Sequence, residues 1–364
     1  MLFDAGTSFD DALRIIKKSV YEYLRMPEYG SRYSPADINT AVYSYMSMGG
    51  KSLRPAVLLF SCGAVGGDIH RALPAAAAVE VYHTWTLVHD DIIDRDGMRR
   101  GDPTVHERFR SRALEDYGYD DAEARHYGLS VGILAGDLQQ GWSTSLLCEL
   151  YHKQGVNPAA VLHIIRDLAS NVQSTLIEGE MLDIIYSKQP VASLNENLII
   201  DMLWKKTGVL YEFAGRAGAM IGLGTEDVSH GLVQALSAFA SQCGTAFQLQ
   251  DDILGVVGDE QLLGKPVGSD IREGKRTTIV HYALEQATAA QKAELLGILG
   301  NEEASEKEIG RVADLLRDLG GVQRTQRLAK SYIEKALGHL EGIPESMYKN
   351  LLCAWADFMI SRQF

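Results

Sequence analysis

The stretch from Leu73 to Asp94 constrains this chain more than any other. It opens with a proline in its first turn, passes through four consecutive alanines, Ala75 to Ala78, and ends in Asp90-Asp91-Ile92-Ile93-Asp94. Proline is tolerated in a first helical turn and alanine has the highest helix propensity, so the run predicts a helix. The largely apolar course from Val79 to Val88 predicts that the helix is buried. Asp90 and Asp94 then share one face, with Asp91 to one side. Carboxylates so placed repel one another, more strongly when buried. A hard divalent cation removes the repulsion, and Mg2+ favours one or two carboxylates completed by phosphate oxygens and water. A single such cluster fits a solvated acidic helix end equally well.

A second cluster favours the metal reading. Asp251-Asp252 follows Phe247-Gln248-Leu249-Gln250 in apolar helical sequence and starts 161 residues after Asp90. Two such helices facing each other would form a double metal clamp around a diphosphate. Basic residues accompany the acids: Gly49-Gly50-Lys51-Ser52-Leu53-Arg54-Pro55, then Arg99-Arg100, Lys206-Thr207, Lys265 and Lys275. The Lys51–Arg54 segment is expected to have no carboxylate neighbours, so a metal-free diphosphate is its natural ligand. For any one of these lysines, surface solubility is the plainer explanation. His83 falls near the Asp90 face of the helical wheel and is a further candidate.

The rest of the chain predicts an all-α protein. Leu13, Ile16, Val20 and Leu24 recur at helical spacing, and Ser305-Glu306-Lys307-Glu308 has the form of a capping box. Alternating strands with hairpin turns are missing. The polar segment 111–128 reads as an insertion within a single domain spanning 1–364. The net charge of −13 argues against nucleic acid and anionic lipid as partners. Four scattered cysteines read as reduced thiols, the N-terminus lacks signal-peptide character, and no apolar run reaches the ~20 residues that span a bilayer. A cytoplasmic location is the expectation.

With these motifs in this order, the sequence resembles the trans-prenyl diphosphate synthase family. Asp90 to Asp94 looks like the family's first aspartate-rich motif, and Phe247-Gln248-x-x-Asp251-Asp252 like the second. Gly49-Gly50-Lys51-x-x-Arg54-Pro55 looks like the segment that grips isopentenyl diphosphate. Arg99, Arg100, Lys206, Thr207 and Lys265 also match family positions. The string from Asp251 to Thr277 is most similar to the archaeal geranylgeranyl diphosphate synthase branch.

The resemblance implies a helical bundle around a central cavity, of the isoprenoid synthase type, in a homodimer. It implies Mg2+ on Asp90, Asp94 and Asp251, which bind the allylic substrate (dimethylallyl, geranyl or farnesyl diphosphate). Asp91, Gln248, Asp252, Thr207 and Lys265 complete the catalytic set. Arg99, Lys206 and Lys265 would stabilise the departing pyrophosphate, while Lys51, Arg54, His83 and Arg100 hold isopentenyl diphosphate. Trp85, with Tyr82 and the small Thr86, would set product length, expected at geranylgeranyl diphosphate. Two positions depart from the wider family: Gly255 replaces the last aspartate of the second motif, as in archaeal-type members, and Glu180 stands where glutamine is more usual. The competing readings are a farnesyl diphosphate synthase, a terpene cyclase, an inactive partner subunit, and a metal phosphohydrolase built on His89-Asp90. A cyclase has no use for the Gly49–Pro55 segment, and an inactive subunit would be expected to lose first-motif aspartates.

Overall fold

The computed structural model describes residues 3, 6–30, 32–257 and 268–361. It is all-α, as expected. The described strands are two residues each, Met98–Arg99 (β1) and Asp102–Pro103 (β2). The described chain falls into two compact units.

The first unit holds the chain through Arg166 with Arg216–Ser229 and Ser346–Tyr348. Its helices are α1 (Phe9–Leu24), α2 (Pro27–Gly30), α3 (Ala36–Ser47), α4 (Leu53–Ala64), α5 (Leu73–Ile93), α6 (Val105–Asp116), α7 (Asp121–His152) and α8 (Pro158–Arg166). In α1 the Ser8 side chain accepts the Asp11 N–H, and Ile16, Val20 and Leu24 are buried along one face. The alanine-rich part of α5 is fully buried, as its composition predicts. The C-terminal half of α5 lies along α7, where Gly132 and Gly136 make room for it. A Cβ on Gly132 would come within 2.7 Å of Ile92, and one on Gly136 within 2.1 Å of His89.

The segment 111–128 is mostly helical. It carries the end of α6, a four-residue turn and the start of α7, whose N-cap Asp120 accepts the Glu123 N–H. Tyr117 and Tyr127 donate to the buried Asp37 at 2.8 and 2.6 Å, and Arg112 pairs with it at 2.9 Å. The polar residues that suggested an excursion thus tie the segment to α3.

The second unit holds Asp167–Gly215, His230–Glu345 and the chain from Lys349. It contains α9 (Gln173–Lys188), α10 (Glu196–Leu203), the first turns of α11 (Val209–Leu223) and α12 (Gly231–Val257). Later helices span Thr278–Gln286, Glu306–Asp318 and Gly321–His339. Two π-helical turns, Asp167–Val172 and Trp204–Gly208, interrupt the regular spacing. Ser305 and Glu308 form the expected capping box. Ile253, Ile271, Ile279 and Leu316 belong to one apolar core. All four cysteines are free, and no described helix is long and apolar enough to cross a membrane.

Candidate active site

In the first unit, α5 carries Asp90 and Asp91 in its last turn and ends on Asp94 as its cap. Negative charge is disfavoured at a helix C-terminus, so the site needs compensation. Asp91, which has no exposed surface, receives it from the protein. Arg99 Nε donates to its two oxygens at 2.7 and 2.9 Å, Arg99 Nη2 donates to Oδ1, and the Tyr45 hydroxyl donates to Oδ2. The Tyr45 oxygen accepts the Val105 N–H at 3.2 Å. Burial pushes the Asp91 carboxyl upward, and the Arg99 fork pulls the other way. Arg99 also reaches to 3.8 Å from Asp90.

The β1–β2 hairpin aims the two arginines. Its central residues, Arg100 and Gly101, have φ of 54° and 81°. Positive φ at both is the type I′ arrangement that two-residue hairpins prefer. Gly101 adopts it freely, whereas Arg100 gives up on the order of 1–2 kcal/mol to do so. Such strain is concentrated at functional sites. Arg99 turns to Asp91, and Arg100 donates to the Gly49 carbonyl.

Around His83 the charges are cationic. Burial above all, then the fields of Arg54, Arg100 and Arg99, hold its imidazole well below the ordinary pKa. Arg54 is itself almost buried at the start of α4. Contrary to expectation, the basic segment does have a carboxylate neighbour. Glu80, buried on α5, accepts from the Tyr21 and Ser52 hydroxyls at 3.0 and 3.1 Å and feels the fields of Arg100 and Arg54. It is brought there by packing between α4 and α5, which local sequence does not reveal. Lys17 was also not anticipated: its ammonium lies 3.2 Å from where a Cβ on Gly49 would stand.

In the second unit, α12 carries Gln248, Asp251 and Asp252. Thr207 donates to Gln248 Oε1 at 2.8 Å, and Gln248 Nε2 donates to Asp252 Oδ1 at 3.2 Å. Asp252 is 5% exposed and its Oδ2 accepts no hydrogen bond among the described residues. Burial, then the nearby Asp270, push its carboxyl well above the usual range. Gly255 has a steric cause: a Cβ there would lie 2.6 Å from Asp270 Oδ2. The space that a third motif aspartate would enter already contains a carboxylate from the helix Ser269–Glu273.

Lys206 lies in the second π-helical turn. A Cβ on Gly179 would meet the Lys206 backbone N at 2.3 Å, so glycine permits α9 to approach. That approach sets Glu180 and Asp183 at 3.0 and 2.7 Å from the Lys206 ammonium. Glu180 therefore pairs with Lys206 directly, joined by Asp183, which local pattern did not single out. Lys275 lies 2.9 Å from Glu273 and 4.0 Å from Asp270. Lys265 lies outside the described residues.

Among the described residues, no group of three or more metal-ligating side chains is already gathered. Mg2+ requires fewer, because substrate oxygens and water complete its shell. In the second unit the Asp252 oxygen that has no donor among the described residues, and in the first unit the carboxylates at the α5 C-terminus, are each of the hard oxygen type that Mg2+ takes.

Residues 35–316 match the family model described as polyprenyl synthetase. The chain belongs to this family. It is 35% identical over 328 residues to a geranylgeranyl diphosphate synthase of Saccharolobus solfataricus, covering 90% of each chain. The crystal structure of geranylgeranyl pyrophosphate synthetase from Pyrococcus horikoshii aligns with a TM-score of 0.82 at 32% identity, covering 97% of this chain and 99% of that one. A geranylgeranyl pyrophosphate synthase from Corynebacterium glutamicum, complexed with isoprenyl diphosphate and magnesium, aligns with a TM-score of 0.84 at 28% identity, covering 98% and 99%.

In this chain the residues before the first motif are linked by ring contacts and hydrogen bonds. The Tyr82 and Trp85 rings meet edge to face at 4.8 Å, and Thr86 donates to the His83 carbonyl at 2.8 Å. The Trp85 indole donates to His89 Nδ1 at 3.1 Å, and His89 Nε2 lies 3.1 Å from the Ile133 carbonyl oxygen. An indole N–H only donates, so Nδ1 is the acceptor and the ring proton sits on Nε2. Both nitrogens of His89 are engaged, which removes the ligand on which a His-Asp phosphohydrolase would depend.

Proposed function

We propose that the chain condenses an allylic diphosphate with isopentenyl diphosphate in a Mg2+-dependent reaction that releases pyrophosphate, with geranylgeranyl diphosphate as the main product. The observation that carries this reading is the family match over residues 35–316, together with Arg99 bonded to Asp91 and Arg100 to the Gly49 carbonyl beside the first aspartate motif. These features support a metal-binding face and a cationic site for a second, metal-free diphosphate in the same unit.

Asp90, Asp94 and Asp251 are the Mg2+ ligands. When bound, Mg2+ supplies positive charge to the allylic diphosphate and its departing pyrophosphate. Asp91 holds Arg99 in place, so that guanidinium meets the developing charge without rearranging. Lys206 and Lys265 serve the same leaving group. Thr207 orients Gln248, which orients Asp252 in turn. Lys51, Arg54, His83 and Arg100 bind isopentenyl diphosphate, whose double bond attacks the allylic cation before a proton is lost. Trp85, backed by Tyr82, limits chain growth. The homodimer is the assembly we expect.

Pyrophosphate release tests the reaction. It should require Mg2+ and both substrates together. Release from the allylic substrate alone would favour a cyclase, and a wild-type product ending at farnesyl diphosphate would overturn the length. Replacement of Trp85 by alanine should lengthen the product.

A further inference from the structure

We infer that His89 is a positioning residue for product length, acting by holding the Trp85 indole. The inference rests on Trp85 being the length-setting residue, and it goes beyond that reading by naming what fixes the ring.

Trp85 and His89 are one turn apart on α5, and the bond between them spans Nε1 to Nδ1 at 3.1 Å. Their ring centroids are 5.9 Å apart at 72°. A histidine free to rotate would not hold the indole, but His89 is anchored from the other side. Its Nε2–H points at the Ile133 carbonyl on α7, 3.1 Å away. Gly136, one turn along, leaves room for the imidazole and for nothing larger than hydrogen at that position. The imidazole is therefore fixed against α7, and the indole is fixed against the imidazole. Tyr82 also packs edge to face against the Trp85 ring, at 4.8 Å between centroids. With the donor engaged, the ring has one orientation. Without an acceptor at position 89 it can rotate, and a tryptophan that rotates is a poorer stop for a growing apolar chain. His89 also reaches a carbonyl that belongs to α7, so product length is coupled to a helix outside the aspartate motif.

The test compares products of the wild type, His89→Leu, His89→Gln, Trp85→Phe, Trp85→Ala and the double variant His89→Leu/Trp85→Phe, by chromatography after dephosphorylation. Leucine cannot accept the indole proton, and glutamine offers an amide oxygen. In His89→Leu the fraction of product one isoprene unit longer should rise on the order of fivefold to tenfold, the population shift that loss of one neutral hydrogen bond permits. His89→Gln should return the distribution toward wild type. Phenylalanine has no N–H, so His89→Leu should add nothing in the Trp85→Phe background. Gly136→Ala displaces the imidazole from α7 while leaving the identities of Trp85 and His89 unchanged, and should lengthen products in the same direction. It serves as the measurement if His89→Leu does not fold. An unchanged distribution in folded His89→Leu or Gly136→Ala would overturn the inference, as would an equal shift with and without the indole N–H. If Trp85→Ala also left the products unchanged, the fault would lie in the reading of Trp85 itself.

Discussion

The two aspartate-rich motifs look alike in sequence and are treated oppositely by the fold. In the first unit the buried Asp91 is neutralised by the protein, through Arg99 and Tyr45. In the second unit the buried Asp252 receives one amide donor, and its other oxygen has none among the described residues. The cations are paired in both units: Arg99 is bonded to Asp91 in the first, and Lys206 lies 3.0 and 2.7 Å from Glu180 and Asp183 in the second. A buried carboxylate matched to a guanidinium keeps its charge compensated, while one left short of donors is costly to hold charged. Among the described residues, the same residue type at corresponding motif positions is thus bonded to a guanidinium in one unit and to a single amide donor in the other.

The comparison can be broken experimentally. The largest effect is expected at a proposed ligand: Asp90→Ala should lower turnover on the order of a thousandfold, with circular dichroism unchanged. Near-normal Mg2+-dependent activity would remove the first motif from metal binding. Next come isosteric neutralisations of the buried pair, measured by urea unfolding without Mg2+. Asp91→Asn should destabilise by about 3–5 kcal/mol, because it leaves Arg99 without its partner. Asp252→Asn should stabilise by about 1 kcal/mol, since it removes a buried charge that Asp270 repels while keeping an oxygen for Gln248. Shifts of the same sign would erase the distinction drawn here.

Two smaller effects sharpen the account of the first unit. Arg54→Ala should raise KM for isopentenyl diphosphate about tenfold with little change for the allylic substrate; equal rises would contradict a cationic site reserved for one diphosphate. His83 should appear in the pH dependence of stability. Its pKa is lowered in the fold, so the unfolded chain binds the proton more tightly. Its contribution is complete above about pH 6.5 and is lost as the pH falls, at no more than about 1.4 kcal/mol per pH unit. His83→Gln should flatten that acid-side decline; an unchanged slope would mean that His83 is not held neutral by its surroundings.

Much was legible because it is local. Helical spacing located α1, composition located α5, and hydrogen-bonding side chains three residues apart located the capping box at Ser305. The motifs supplied the candidate residues themselves, since carboxylates and cations reveal their chemistry by type. Their partners were not legible. Nothing near Arg54 announces Glu80, nothing near Lys206 announces Asp183, and the carboxylate that a side chain at Gly255 would meet belongs to Asp270, well outside its local sequence. The π-helical turn that carries Lys206 departs from the 3.6-residue period on which sequence reading relies.

What the sequence determined alone was the helical class, the family motifs and the charges available for chemistry, because these depend on residue type and on neighbours within a turn or two. Tertiary structure decided which partner each of those charges meets and how deeply it is buried. That outcome depends on side chains brought together from distant segments, and for buried groups a few ångströms separate a matched charge from a repelled one.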